Sequence, residues 1–138
     1  MGVDLRYFRS VDDDGRETAA ADVIAWGFQR DLEEGEVEYS SWVRFGDDAV
    51  IWFSPGLEPG TLCVNGCAKE SARGGLMSDR VLGGICVLAE ILGATRLYGL
   101  TINPANGKEN EAHTLYKRTL HRNGWESCEY GYYKELGG

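Results

Sequence analysis

No run of about 18 apolar residues occurs in the 138-residue sequence, so no membrane-spanning helix is predicted. The start, Met1-Gly2-Val3-Asp4-Leu5-Arg6, has no basic stretch followed by an apolar one, and a secretion signal is not expected. A myristoylation motif would need Ser or Thr where Arg6 stands. No internal repeat, low-complexity segment or Pro/Gly/Ser linker divides the chain, which reads as one domain over residues 1–138. Histidine is scarce: only His113 and His121. Of the four cysteines, Cys63 and Cys67 make one pair at metal-ligand spacing, Cys86 falls in a helical stretch and Cys128 stands alone. Structural zinc needs such a pair at both ends, so no metal site is expected. Without an export signal the cysteines read as thiols in a reducing compartment, and the expected location is cytoplasmic. Cys63 or Cys67 as a nucleophile would need His113 or His121 beside it as a base, and no flanking motif points to that.

What is present is an ordinary globular composition, 43% hydrophobic, with charge spread unevenly. Residues 1–60 hold 14 acids and 5 bases, whereas residues 61–138 hold 8 acids and 9 bases, so the net charge of −8 belongs to the first part. Such an acidic face disfavours direct nucleic-acid binding and attracts cationic partners, or serves only as a solvated surface.

Val3–Arg9 reads as a first strand, followed by a turn at Asp12-Asp13-Asp14-Gly15. Ala21, Ile24, Ala25, Phe28 and Leu32 recur at three- and four-residue spacings and predict a helix over Glu17–Glu34, closed by Gly35. Val37–Phe45 and Ala49–Phe53 are rich in aromatic and β-branched residues and predict two strands joined at Gly46-Asp47-Asp48. Leu62–Ala68 predicts the next strand, with Leu62, Val64 and Gly66 on one face and Cys63, Asn65 and Cys67 on the other. A helix is predicted near Ser78–Leu92, capped by Ser78 or Asp79, with Val81, Ile85, Leu88 and Leu92 as its apolar stripe. Gly83-Gly84 inside it would allow close packing. A strand over Arg96–Ile102, a polar loop over Asn103–Lys108, a helix over Glu109–Arg122 and a last strand over Tyr130–Leu136 complete the chain. The order β-α-β-β-β-α-β-α-β is an α/β (α+β) architecture, a mixed sheet with helices on both faces.

The late helix contains Ala112-His113-Thr114-Leu115-Tyr116, followed by Asn123-Gly124-Trp125 and the aromatic run Tyr130-Gly131-Tyr132-Tyr133. With the strand, glycine loop and helix before it, residues 61–136 resemble the GNAT superfamily of acyl-CoA-dependent N-acyltransferases, as a divergent member. In that family the late helix reads Ala-x-x-Leu-Tyr-x-x-x-Gly-Phe. The first part of the chain agrees in element order and supplies no motif. The resemblance implies a GNAT-like, mostly antiparallel sheet flanked by helices. It also implies acetyl-CoA as co-substrate and transfer of an acetyl group to an amine of a small molecule or protein. A helix N-terminus and nearby glycines suit phosphate, and a basic side chain adds charge. In this reading Arg73, Gly74, Gly75 and Ser78 hold the pyrophosphate, and the strand edge at Val64 and Asn65 pairs with the pantetheine arm. The family's loop reads Arg/Gln-x-x-Gly-x-Gly/Ala; from Arg73 this chain has Leu76 at the fourth place and Ser78 at the sixth.

Seven residues separate Tyr116 from Gly124, where the family has three. The surplus equals about one helical turn, which would keep Tyr116 in place as general acid. Counting back from Gly124-Trp125 puts Leu120 there instead. Glu70 is the candidate base for the acceptor amine, and Glu38, Asn103 and Asn106 are candidate acceptor-binding residues. The expected partners are a cationic small-molecule or protein amine and a second copy in a homodimer, without direct nucleic acid or membrane. Two other functions fit the same sequence. One is a GNAT-like binding or assembly module without catalysis, favoured by Leu76 and the long late helix. The other is an acidic inhibitor that occupies a nucleic-acid-binding site on another protein.

Overall fold

Every residue from Ala49 to Phe53 is buried, so this stretch has to be covered on both faces. A computed structural model describes residues 5–28, 30–72, 78–99, 111–129 and 131–137, apart from the side chains of 111–113. The strands are Phe8–Ser10 (β1), Ser41–Phe45 (β2), Ala49–Pro55 (β3), Thr61–Ala68 (β4), Arg96–Gly99 (β5), Glu126–Cys128 (β6) and Gly131–Glu135 (β7). They form one sheet in the order β1-β2-β3-β4-β5-β7-β6. Only β4 and β5 pair in parallel; every other pair is antiparallel.

The helices are Arg16–Ala25 (α1), Glu36–Tyr39 (α2), Asp79–Ile91 (α3) and Glu111–Arg122 (α4). Successive residues of β3 point to opposite faces and so divide the core in two. Val50 and Trp52 pack with Trp42 and with Ala19, Ala20 and Val23 of α1. Ile51 and Phe53 pack with Val81, Leu82 and Ile85 of α3 and with Leu120 of α4. The mixed sheet with helices on both faces is therefore as the element order predicts. Ser78 caps α3 by accepting from the Val81 amide at 3.2 Å. At Gly84 a Cβ would come within 2.3 Å of the Phe8 ring, so this glycine lets β1 lie against α3. Among the described residues no helix is long and apolar enough to cross a membrane.

Beyond shifts of one or two residues at element ends, the structure differs from the sequence reading as follows. The helix predicted over Glu17–Glu34 stops at Ala25, because Gly27 takes a φ of +85° and the Phe28 amide returns to the Val23 carbonyl. Residues predicted to begin a strand at Val37 instead form α2, which starts after Gly35 at φ +82°; β2 begins only at Ser41. Of the first strand predicted over Val3–Arg9, Leu5–Tyr7 are not strand and the strand described is Phe8–Ser10, while Val3 and Asp4 lie outside the described residues. The three-residue strand β6 was not predicted, being too short for alternation to show. Residues 100–110 lie outside the described part, and with them the predicted end of β5.

Candidate active site

β4 and β5 are paired from Thr61↔Arg96 to Val64↔Gly99. Beyond that point β4 runs on to Ala68, bonded to β3 on one side and to no described strand on the other. Gly99 is the last described residue of β5, and its pair with Val64 is termed the branch. Its φ is +130°, and a Cβ there would lie 2.2 Å from the Val64 carbonyl oxygen, so a side chain cannot be accommodated.

On the face of β4 that carries Cys63 and Asn65, a cavity of about 500 Å³ opens toward α2. Ser54, Cys63 and Asn65 contribute its sheet side, and Arg30, Glu33, Glu34 and the start of α2 its other wall. Glu36 is the buried acid of that wall, with its side chain 6% exposed. Its Oε1 accepts from Arg30 Nη1 and the Glu33 amide, both at 2.8 Å. Its Oε2 accepts from Arg30 Nη2 at 2.9 Å and from Trp52 Nε1 at 2.6 Å. Burial pushes this carboxyl up. The hydrogen bonds from Arg30, the Glu33 amide and Trp52 outweigh that and hold it below the ordinary carboxylate value. With four donors already bound, Glu36 organises the wall and is not placed to accept a proton from a ligand.

A second, mostly apolar pocket of about 250 Å³ adjoins the branch, lined by Leu57, Glu58, Cys63, Tyr98 and Gly99. Cys63 borders both spaces, and burial raises its thiol pKa. A thiolate there is disfavoured, and among the described side chains no histidine stands ready to generate one: His121 lies edge-on to Tyr132, a side chain of the core on the opposite face, and the His113 side chain lies outside the described residues. Cys67 packs beneath α1, with its Sγ 3.7 Å from the Val23 carbonyl oxygen.

The sequence-predicted residues fall in different places. Asn65 lies in the cavity, whereas the Val64 side chain is buried in the core and only its main chain is available at the branch. Ser78 caps α3. Tyr116 is half-buried on α4, one turn before Leu120, which is fully buried in the core. Glu70 sits in a 3-10 turn beyond the end of β4 at Ala68 and does not line the cavity. Glu38 is on α2, exposed and outside the lining; its carbonyl accepts from Arg16. Arg73, Gly74, Gly75, Asn103 and Asn106 lie outside the described residues. Sequence reasoning missed Arg30, Glu36 and Gly99. It also passed over Arg80, an exposed cation in the first turn of α3 whose guanidinium lies 5.1 Å over the Tyr7 ring. The signal for Arg80 was present: a base just inside a capped helix that follows a glycine loop. In the same turn Asp79 accepts from Asn123 at 2.7 Å and Arg122 at 2.9 Å, tying α3 to the end of α4.

No protein-family model matches the chain, and a sequence search of characterised proteins finds no match. Solved structures do match. An acetyltransferase of the GNAT family from Staphylococcus aureus Mu50 superposes with a TM-score of 0.62 at 10% identity, over 94% of this chain and 98% of that one. The IAA acetyltransferase from Bacillus cereus gives a TM-score of 0.61 at 12% identity, over 88% of this chain and 77% of that one. N-acetylglutamate synthase from Neisseria gonorrhoeae, solved with coenzyme A and L-arginine, gives 0.59 at 14% identity, over 95% of this chain and 33% of that one. With the mixed seven-stranded sheet and its single parallel junction, these likenesses establish that the chain has the GNAT acetyltransferase fold.

Proposed function

We propose that this chain is an acyl-CoA-dependent N-acyltransferase that moves an acetyl group to a cationic amine. The observation that carries the proposal is the parallel pairing of β4 with β5 as far as Val64 and Gly99, with a pocket beside it and a larger cavity on the same face of β4. The residues present suit acetyl-CoA, which when bound supplies an acyl group activated as a thioester. The Asn65–Ala68 edge, beyond the last described pair with β5, is the stretch that would meet the pantetheine amides, and the glycine at position 99 keeps that entrance clear. The α3 N-terminus, with Ser78, Arg80 and the preceding Arg73, Gly74 and Gly75, serves the pyrophosphate. The apolar pocket at Cys63 and Gly99 has room for a short acyl group. The larger cavity takes the acceptor. Arg30 and Glu36 neutralise each other there, so Glu33 and Glu34 leave it a negative excess that draws in an ammonium and receives its proton through water. Tyr116 holds the proton destined for the leaving sulfur at its phenolic oxygen.

The test is a calorimetric titration of the folded protein with acetyl-CoA and, separately, CoA. Micromolar binding that weakens strongly in Arg73→Glu and Arg80→Glu supports the assignment. Turnover should then fall in Tyr116→Phe while binding is kept. Comparing Glu70→Gln and Glu38→Gln with Glu33→Gln and Glu34→Gln decides which carboxylate serves the amine. No heat at millimolar cofactor would overturn the proposal and favour the non-catalytic binding module, the reading to which Leu76 in the loop points.

A further inference from the structure

Both Nη groups of Arg30 are fully engaged with protein oxygens. Nη1 donates to Glu36 Oε1 and to the Asp31 carbonyl, at 2.8 and 3.0 Å. Nη2 donates to Glu36 Oε2 at 2.9 Å and to Asn65 Oδ1 at 3.4 Å. All four Nη hydrogens are thus directed at protein oxygens, and the guanidinium also lies 5.1 Å over the Phe28 ring. Arg30 lines the cavity without a free fork to offer an anion. Its contact with Asn65 has a chemical consequence. A guanidinium only donates, so the carboxamide must present its oxygen to Arg30. The Asn65 NH2 group, with two hydrogens and no partner among the described residues, is then left for the cavity that Asn65 lines.

We infer that Asn65, held in this orientation by Arg30 as a positioning residue, selects acceptors that carry a neutral carbonyl oxygen near the reacting amine, as a peptide or amino-acid amide does. The inference rests on the acyltransferase reading for the identity of the amine. The carbonyl preference follows from the donor at Asn65. The neutrality follows from Glu33 and Glu34, which leave the cavity negative and oppose a free carboxylate. A simple diamine would satisfy the acids and leave the Asn65 donors unused.

Three probes separate these requirements: L-lysinamide, L-lysine and 1,5-diaminopentane share a primary amine on a similar chain and differ in what stands beside it. Binding of each to the folded protein is measured by calorimetry, and acetyl transfer by release of CoA. The expected order is lysinamide first, by about tenfold, the worth of one good hydrogen bond. Asn65→Asp is the decisive variant, since it keeps an oxygen for Arg30 and removes both donors at almost unchanged shape. It should abolish the preference for lysinamide over the diamine. Arg30→Lys should weaken that preference through KM with little change in kcat, because the carboxamide is less firmly held. Equal binding of lysinamide and the diamine, no binding of either, or a preference that survives Asn65→Asp would overturn the inference. Selective, Asn65-dependent binding of lysinamide without any acetyl-CoA binding would instead overturn the acyltransferase reading and leave the ligand site standing.

Discussion

Beneath α3 and α4 the sheet is closed by aliphatic and aromatic side chains, with Val81, Leu82, Ile85, Leu97 and Leu120 almost without solvent contact. Beneath α1 and α2 the cover is smaller and part of it is polar. Trp42 and Trp52 stack at 4.8 Å, and the Trp52 indole donates to the buried Glu36 carboxylate. The same strand, β3, serves both sides. Apolar burial is non-directional and fills space, whereas a buried carboxylate needs each donor in place. The first face therefore carries most of the stability, and the second trades some of it for a cavity with fixed donors and charges. The two meet along the β4–β5 pairing, where Gly99 lets β5 lie against β4.

The largest effect is expected at that meeting point. Gly99→Val places a branched side chain against the Val64 carbonyl, at a φ that L-residues rarely adopt, and neither backbone can yield. We expect loss of the cooperative thermal transition; a normal melting curve would show that the branch tolerates repacking. Next comes the apolar face. Leu120→Ala should cost about 2–5 kcal/mol by chemical denaturation, the range for emptying a packed site. The same variant should leave lysinamide binding unchanged, since the cavity lies on the other side of the sheet. A shared loss of both would remove the division of labour between the faces.

The polar face should respond to pH as the other does not. Glu36 is depressed, so its contribution is fully present above the ordinary carboxylate pKa and fades as pH falls through the lower native value. Arg30→Met removes the main counterweight to burial and turns the sign. The Glu36 carboxyl would rise, and stability would now be lost as pH increases through the carboxylate range. Glu33, Glu34, Tyr39 and Cys63 also border the cavity, so the comparison is made between Arg30→Met and Arg30→Met/Glu36→Gln, in which only the Glu36 titration differs. The single variant should lose about 2 kcal/mol near neutral pH, less than a fully buried pair because Arg30 is 41% exposed. Parallel pH profiles in the two variants would show that Glu36 is not what titrates.

Much of the apolar face was legible in the sequence. The stripe at Val81, Ile85 and Leu88, the Ser78 cap and the strand at Ala49–Phe53 each express a local period or a local hydrogen bond, although Leu92, which continues the same period, is exposed. The polar face was not. Asp31–Glu38 reads as an acidic surface segment because nothing nearby announces that Glu36 is buried. Its partners are Arg30, six residues away, and Trp52, sixteen away, while Arg30 reaches Asn65 across thirty-five. The strand expected at Val37–Tyr39 fails for the same reason, since β-propensity mostly measures fit to a half-buried pleat and these residues form α2 instead. The branch was half legible. A strand followed by a glycine loop and capped helix pointed to β4 and α3, while Gly99 showed as one glycine among 19.

The smallest expected effect separates the faces by their thiols. Burial raises the pKa of both Cys63 and Cys86, so each should alkylate slowly with iodoacetamide at neutral pH compared with the urea-unfolded chain. Their surroundings differ. Cys63 borders the cavity and the pocket at the branch, while Cys86 packs against the apolar core under α3. Occupying the cavity with lysinamide should slow modification of Cys63 further and leave Cys86 unchanged, read by peptide mass spectrometry. Raising the urea concentration should release both thiols together if the two faces unfold as one unit. If Cys63 is released first, the cover of α1 and α2 opens on its own, and the face that holds the proposed acceptor is also the one that can part locally from a sheet still folded beneath it.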